Sequence, residues 1–428
     1  MSGSLVSAIL VAIALALIIV PPWYFGLHES MHNGQTSTLS EENVASHDPA
    51  ALREASEDVV AGNVSTRLCQ RFYDSLDGAV NDGSGYSNHL NPDGFPTGAL
   101  LAWSESYLMQ SYAEMYRATG EIRYVQSLRD HILAILDNRD DKRGIDDYRG
   151  RVVPAWGTDR FTRAGDWKHF SSHTGMITYP MLEFVKLVRD YQITDMLGAA
   201  EVVLVDVEES VAYHDAEWVI QESGLGLYTF SEEYYGIENY ICPLSQQACI
   251  GRSLLLLWNL TREESYYAKV SAIAEAIRSS FCEGPYGEPI CGVFPGGIGD
   301  GNPVADISHC TMTIHFMELC VQEGIVFSEA DLEAMAQTIL RLLQQEPVPS
   351  RLDGSGDGSL EIAAAQYSFL ARYSPEIRDL CHRLLFERYR VDITGALYQE
   401  DWWGTVMLSL ARLVRVGSME GALDTQEL

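Results

Sequence analysis

The sequence predicts an all-α fold: an (α/α)6 toroid, a closed ring of six helical hairpins, preceded by an N-terminal transmembrane helix. Three observations predict it. An apolar run without charge, residues 5–20, opens the chain. Six strongly apolar helical segments then recur, and each of the first five is followed by a more amphipathic one. The loops between them are long, uneven and rich in Gly, Pro and aromatic residues.

The opening run reads as a membrane anchor. Residues 5–27 reach the length of about 20 apolar residues that spans a bilayer as a helix. Pro21 and Pro22 then fall near the interface, where Trp23 and Tyr24 are at home. A cleaved signal peptide is the alternative, but the run has no Lys or Arg before it. The expected organisation is an anchor at 1–27, a polar linker at 28–47, a ring domain at 48–418 and a tail at 419–428. The expected location is a cell membrane, with a single pass and the C-terminal domain outside. The sequons at Asn63 and Asn259 permit glycosylation there.

Composition bounds the partners. A hydrophobic share of 46% supplies a large core, so the chain is not globally disordered. The net charge of -31 repels phosphate backbones, so nucleic acid is excluded as a general partner.

The apolar segments begin near Thr97, His173, Leu244, Ser308, Ser359 and Asp401. A helix apolar nearly all round is buried on more than one side, so these are the inner helices. The amphipathic partners fall near 121–136, 194–213, 262–281, 328–343 and 375–386. Thr261 with Glu264 and Ser328 with Asp331 have capping-box spacing, and Pro375 suits a first helical turn. The sixth apolar helix has no partner after it. The amphipathic stretch 49–76 precedes the first and can serve instead, which closes the ring. Tyr116–Tyr124 parallels Trp258–Tyr266 at its aromatic, Thr, Glu and Tyr positions, a repeat within one chain. An open α-solenoid that binds a partner protein is the competing architecture, but it expects regular repeat lengths.

This rhythm, with the segment PLSQQACIGRSLLLLWNLTREESYYAKV (243–270), resembles the six-hairpin, (α/α)6-toroid superfamily of carbohydrate-active proteins. That group includes glycoside hydrolases, polysaccharide lyases and the helical domain of glucuronyl C5-epimerases. The resemblance covers about residues 49–416 and is architectural. It implies a poly- or oligosaccharide substrate more than it implies a reaction.

A toroid gathers the loops that lead into its inner helices around one mouth. Polar residues at those helix starts are therefore the candidates. His173, His309, Asp306 and Asp401 are the catalytic set. Gln246, Gln247, Arg252, Trp103, Trp156, Tyr235 and Trp402 are the substrate-binding set. A histidine can act as acid or base near neutral pH, with Asp306 orienting His309; Asp306 could instead merely cap its helix. Arg252 could clamp a uronate carboxylate. Aromatic rings pack on the apolar faces of sugars. Hydrolysis needs two carboxylates about the glycosidic bond. Lyase or epimerase chemistry needs a His or Tyr base and a group that neutralises a uronate. The residues leave both open, together with a non-catalytic glycan-binding or scaffold ring.

No cofactor or metal is expected. The sequence holds no GxSxG, P-loop or CxxC motif. Of eight cysteines, Cys282 and Cys291 bracket a turn-rich loop and form the best expected disulfide.

Overall fold

The computed structural model describes residues 66–79, 97–162, 165–230, 240–285, 287–295, 303–388 and 402–424. All of these lie in one compact unit, Val44–Leu428. The expected membrane helix and linker lie outside the described residues. Among the described residues no helix is long and apolar enough to cross a membrane.

The described part is mostly helical. The inner helices are α2 (98–119), α4 (Ser171–Asp190), α6 (Leu244–Thr261), α8 (Ile307–Gln322), α10 (361–372) and α12 (Trp403–Asp424). The outer helices are α1 (Thr66–Ala79), α3 (Ile122–Asp137), α5 (Leu197–Ala212), α7 (Glu264–Ser279), α9 (Glu329–Leu343) and α11 (Pro375–Arg383). Each inner helix packs on the next, and α12 packs back on α2. The cycle is closed, so the open solenoid is excluded. The N-terminal α1 lies against α12, as the ring needs, and buries Phe72, Tyr73 and Leu76.

Glycines set the closest approaches in this cycle. A Cβ on Gly175 of α4 would lie 2.4 Å from the Ile250 backbone of α6. A Cβ on Gly404 of α12 would lie 2.1 Å from the Ser104 carbonyl oxygen of α2. Side chains at these points would hold the helices apart.

The internal repeat is a shared turn. Thr119 donates its hydroxyl proton to the Met115 carbonyl at 2.8 Å, and Thr261 does the same to Leu257 at 2.8 Å. Gly120 (φ 70°) and Arg262 (φ 62°) then end α2 and α6 in the left-handed region. Thr261 is thus spent on the end of α6. The expected capping box with Glu264 does not form, because Glu263, without a side-chain cap bond, precedes α7. The Ser328–Asp331 capping box does form.

Two short hairpins decorate the ring, β1 (Trp218–Ile220) with β2 (Gly226–Tyr228), and β3 (Phe281–Glu283) with β4 (Pro289–Cys291). In the second, Cys282 pairs with Ile290 and Cys291 with Phe281. Cys282 and Cys291 therefore point to opposite faces, and the expected disulfide is not formed; all eight cysteines are free. Cys291 lies beside Cys310 instead, whose thiol is pushed well above its ordinary value by that hydrogen bond and by burial.

Candidate active site at the mouth of the ring

The N-terminal parts of α2, α4 and α8 come together at one end of the ring, its mouth, where Trp103 meets both His173 and His309. Asp306 is the N-cap of α8. Its Oδ1 accepts from the backbone N–H of Ser308 at 3.1 Å and of His309 at 3.0 Å. This satisfies donors that a helix start leaves unpaired. Its Oδ2 pairs with His309 Nδ1 at 2.7 Å. Both side chains are part-exposed, His309 at 33% and Asp306 at 21%. Nδ1 is taken by the carboxylate, and among the described residues His309 Nε2 has no hydrogen-bond partner.

The electrostatics follow from this pairing. Burial works against the charge on each group, but each ion stabilises the other. The His309 imidazolium and the cap hydrogen bonds hold Asp306 far below the usual carboxylate range. Asp306 in turn holds His309 above its ordinary value.

Trp103 lies between two histidines. Its ring centroid is 5.7 Å from that of His173 and 6.2 Å from that of His309. Its indole N–H donates to His173 Nε2 at 3.0 Å. Phe161 and Phe170 also meet the His173 ring edge-to-face. Burial, then the charge of Arg160, pushes the His173 imidazole down to about 3, so it is neutral. With Nε2 accepting from Trp103, Nδ1 carries the proton, and that atom is buried without a partner. His173 is thus not an available base through Nε2. It fixes the indole that faces His309.

The structure brings together Trp103, His173, Asp306 and His309 but not the whole expected set. Gln247 is fully buried. Its amide accepts from the Tyr228 N–H and donates to the carbonyls of Tyr228 and Cys242, so it braces β2 rather than a substrate. Trp156 is buried, with its indole N–H bonded to the Ile135 carbonyl at 2.9 Å. Arg252 is buried within the ring, where its guanidinium meets Gln110 and His315. Gln246 and Trp402 are half-buried at the starts of α6 and α12. Tyr235 and Asp401 lie outside the described residues.

Sequence reasoning missed a second buried dyad near the mouth. Asp140 Oδ2 accepts from His169 Nε2 at 2.8 Å, from the Trp167 indole at 2.6 Å and from the Gly157 N–H at 3.1 Å. These bonds tie the 140–169 loop together just ahead of α4. The polar-aromatic density of 166–173 was the available signal. Among the described residues no group of acidic, His or Cys side chains could hold a metal ion.

No family model matches the chain, and no curated protein matches it. The solved structures it is similar to include α-1,6-mannanases. It is similar to an inactive variant of the α-1,6-mannanase GH76A of Salegentibacter sp. HEL1_6 in complex with α-1,6-mannotriose. The identity is 13% over 73% of this chain and 89% of that one, at a TM-score of 0.43. An inactive variant bound to α-1,6-mannotetrose gives the same figures: 13%, 73%, 89% and 0.43. The structure titled simply as that enzyme gives 14% identity over 73% and 88%, at a TM-score of 0.41.

Proposed function

We propose that this chain is a carbohydrate-processing enzyme that acts on an oligo- or polysaccharide at the mouth of the ring. The observation that carries the reading is the Asp306–His309 dyad, part-exposed and open at Nε2, beside the half-buried indole of Trp103. The indole offers an apolar face to a sugar ring. His309, whose charged form Asp306 favours, delivers a proton from Nε2 to the glycosidic oxygen as that bond breaks; water adds at the anomeric carbon in hydrolysis, or the proton beside the uronate carboxylate leaves to a base in elimination. The N-terminal ends of α4 and α8 favour negative charge, which suits a uronate-bearing chain. Proton delivery to the leaving oxygen serves both hydrolysis and lyase elimination, and the products tell them apart. In this reading residues 1–27 tether the ring to a membrane and the ring faces outward.

The test is incubation of the full chain with a panel of neutral and uronate-bearing polysaccharides, α-1,6-mannan included. New reducing ends without unsaturation mean hydrolysis. An ultraviolet-absorbing unsaturated uronate means elimination. Saturable binding with no bond cleavage or epimerisation on any polymer would replace the enzyme with a glycan-binding ring.

A further inference from the structure

The opposite end of the ring holds an axial cavity of about 480 Å³. The C-terminal halves of all six inner helices line it, so it lies at the other end from the mouth. Its volume falls within the range of ligand pockets, roughly 300–1,000 Å³. Leu255, Leu256, Leu319 and Phe369 give it apolar walls.

Its charges are of two kinds. The rim cations have local partners: Arg117 pairs with Glu183, Arg415 with Glu114 at 2.6 Å, and Lys186 with Asp190 at 2.5 Å. They also sit near helix C-termini, whose dipoles favour cations. Neither explanation covers the deeper pair, Arg412 and Arg252, which are 4% and 2% exposed. Both lie more than two turns before the ends of their helices.

Arg412 lines the cavity. Its guanidinium donates to the Gln366 carbonyl at 2.8 Å and to His315 Nδ1 at 3.4 Å. Arg252 donates to Gln110 at 3.3 Å and to the same His315 nitrogen at 3.3 Å. Among the described residues neither has a carboxylate within ion-pair distance; Glu114 and Glu318 on the cavity wall act on Arg412 only from farther away. Burial and these two guanidinium charges hold His315 neutral, well below its ordinary value. It supplies no counter-charge. Glu318, also on the cavity wall and 3.9 Å from Arg372, is pushed up to about 7 by burial against the pull of Arg372 and Arg412, so it is only partly ionised near neutral pH. Arg252 also lies over the Tyr179 ring at 4.6 Å and Arg412 over the Phe369 ring at 4.7 Å, but neither ring is a counter-ion. Buried guanidiniums with no carboxylate in contact are costly, and an added anion beside Arg412 offsets that cost.

We propose that this cavity is a second ligand site, separate from the mouth, which binds an organic anion: a carboxylate or phosphate on an apolar body. The anionic group sits against Arg412, with Arg252 behind it, and the body lies on Leu255, Leu256 and Phe369. Guanidinium groups suit this role because their planar donors match carboxylate and phosphate oxygens.

The experiment is calorimetric titration of the full chain with benzoate and phenyl phosphate, with benzyl alcohol and phenol as uncharged controls. Saturable binding of at least one anion, with the matching control at least tenfold weaker, is the expected result. Arg412→Met should weaken it at least tenfold, and His309→Ala should leave it unchanged. If Arg412→Met does not fold, Val416→Trp, which fills the cavity from a half-buried wall position, should abolish it. No saturable binding of either anion, equal binding of the controls, or unchanged binding in folded Arg412→Met or in Val416→Trp overturns the proposal.

Discussion

Asp306 uses its two carboxylate oxygens separately: Oδ1 closes the first turn of α8, and Oδ2 charges His309. Asp306→Asn separates these uses, because an asparagine still caps a helix but carries no charge. The His309 ring should then titrate at a lower pH than in the parent chain, because the attraction of Asp306 is gone and burial remains. Ring chemical shifts followed against pH measure this, and an unchanged midpoint means that Asp306 is a cap alone. The sign also bears on stability. Asp306 is depressed and His309 raised, so the pair contributes fully from above the unfolded carboxylate value, about 4, to about 6.5. Its contribution is lost at lower pH as Asp306 protonates through its depressed value. It is lost at higher pH as His309 deprotonates through its raised one. An acid three residues before a histidine at a helix start made this dyad legible in the sequence. Gln247, Trp156 and Arg252 were misjudged for one shared reason. A position near a helix start fixes the end of the ring, whereas the face of the helix decides whether a side chain meets the mouth, a strand or the interior.

Among the elements, the alternation of apolar and amphipathic segments marked the inner and outer helices because the two layers differ in how many sides are buried. Helix ends were harder. Thr261 offered a capping-box pattern, but its hydroxyl turned back to Leu257 and closed α6 instead. Nothing in the periodicity announced that Leu101–Glu105 of α2 is π-helical. The glycines could be read as breaks, while their role as contact points needed coordinates. Two of them give opposite predictions. Gly175→Ala forces a methyl group against the Ile250 backbone and should destabilise by about 1–3 kcal/mol, the ordinary cost of overpacking. Gly198→Ala, exposed in the first turn of α5 with open space around it, should stabilise by about 0.5–1 kcal/mol. Denaturant midpoints of the two variants check the pair; destabilisation of both, or of neither, would mean that the α4–α6 contact is not what limits residue 175.

At the scale of the whole molecule, ring closure joins chain segments far apart in sequence and gives the domain two different ends. One gathers helix N-termini, Trp103 and the Asp306–His309 dyad. The other gathers helix C-termini and buried guanidiniums around a cavity. The first was legible because toroid topology brings the loops before the inner helices together whatever their length. The second was not, because Arg252 and Arg412 lie on different helices and nothing in the sequence shows that they share His315. The proposal for the first end is that His309 is the proton carrier of an enzyme. Its most direct test is the turnover of His309→Ala on whichever polysaccharide the parent chain degrades, measured together with its denaturant midpoint. Turnover should fall on the order of 10²–10⁴-fold, the usual worth of a general acid, while stability shifts by no more than about 1–2 kcal/mol. Residual activity in proportion to the folded fraction would contradict the account.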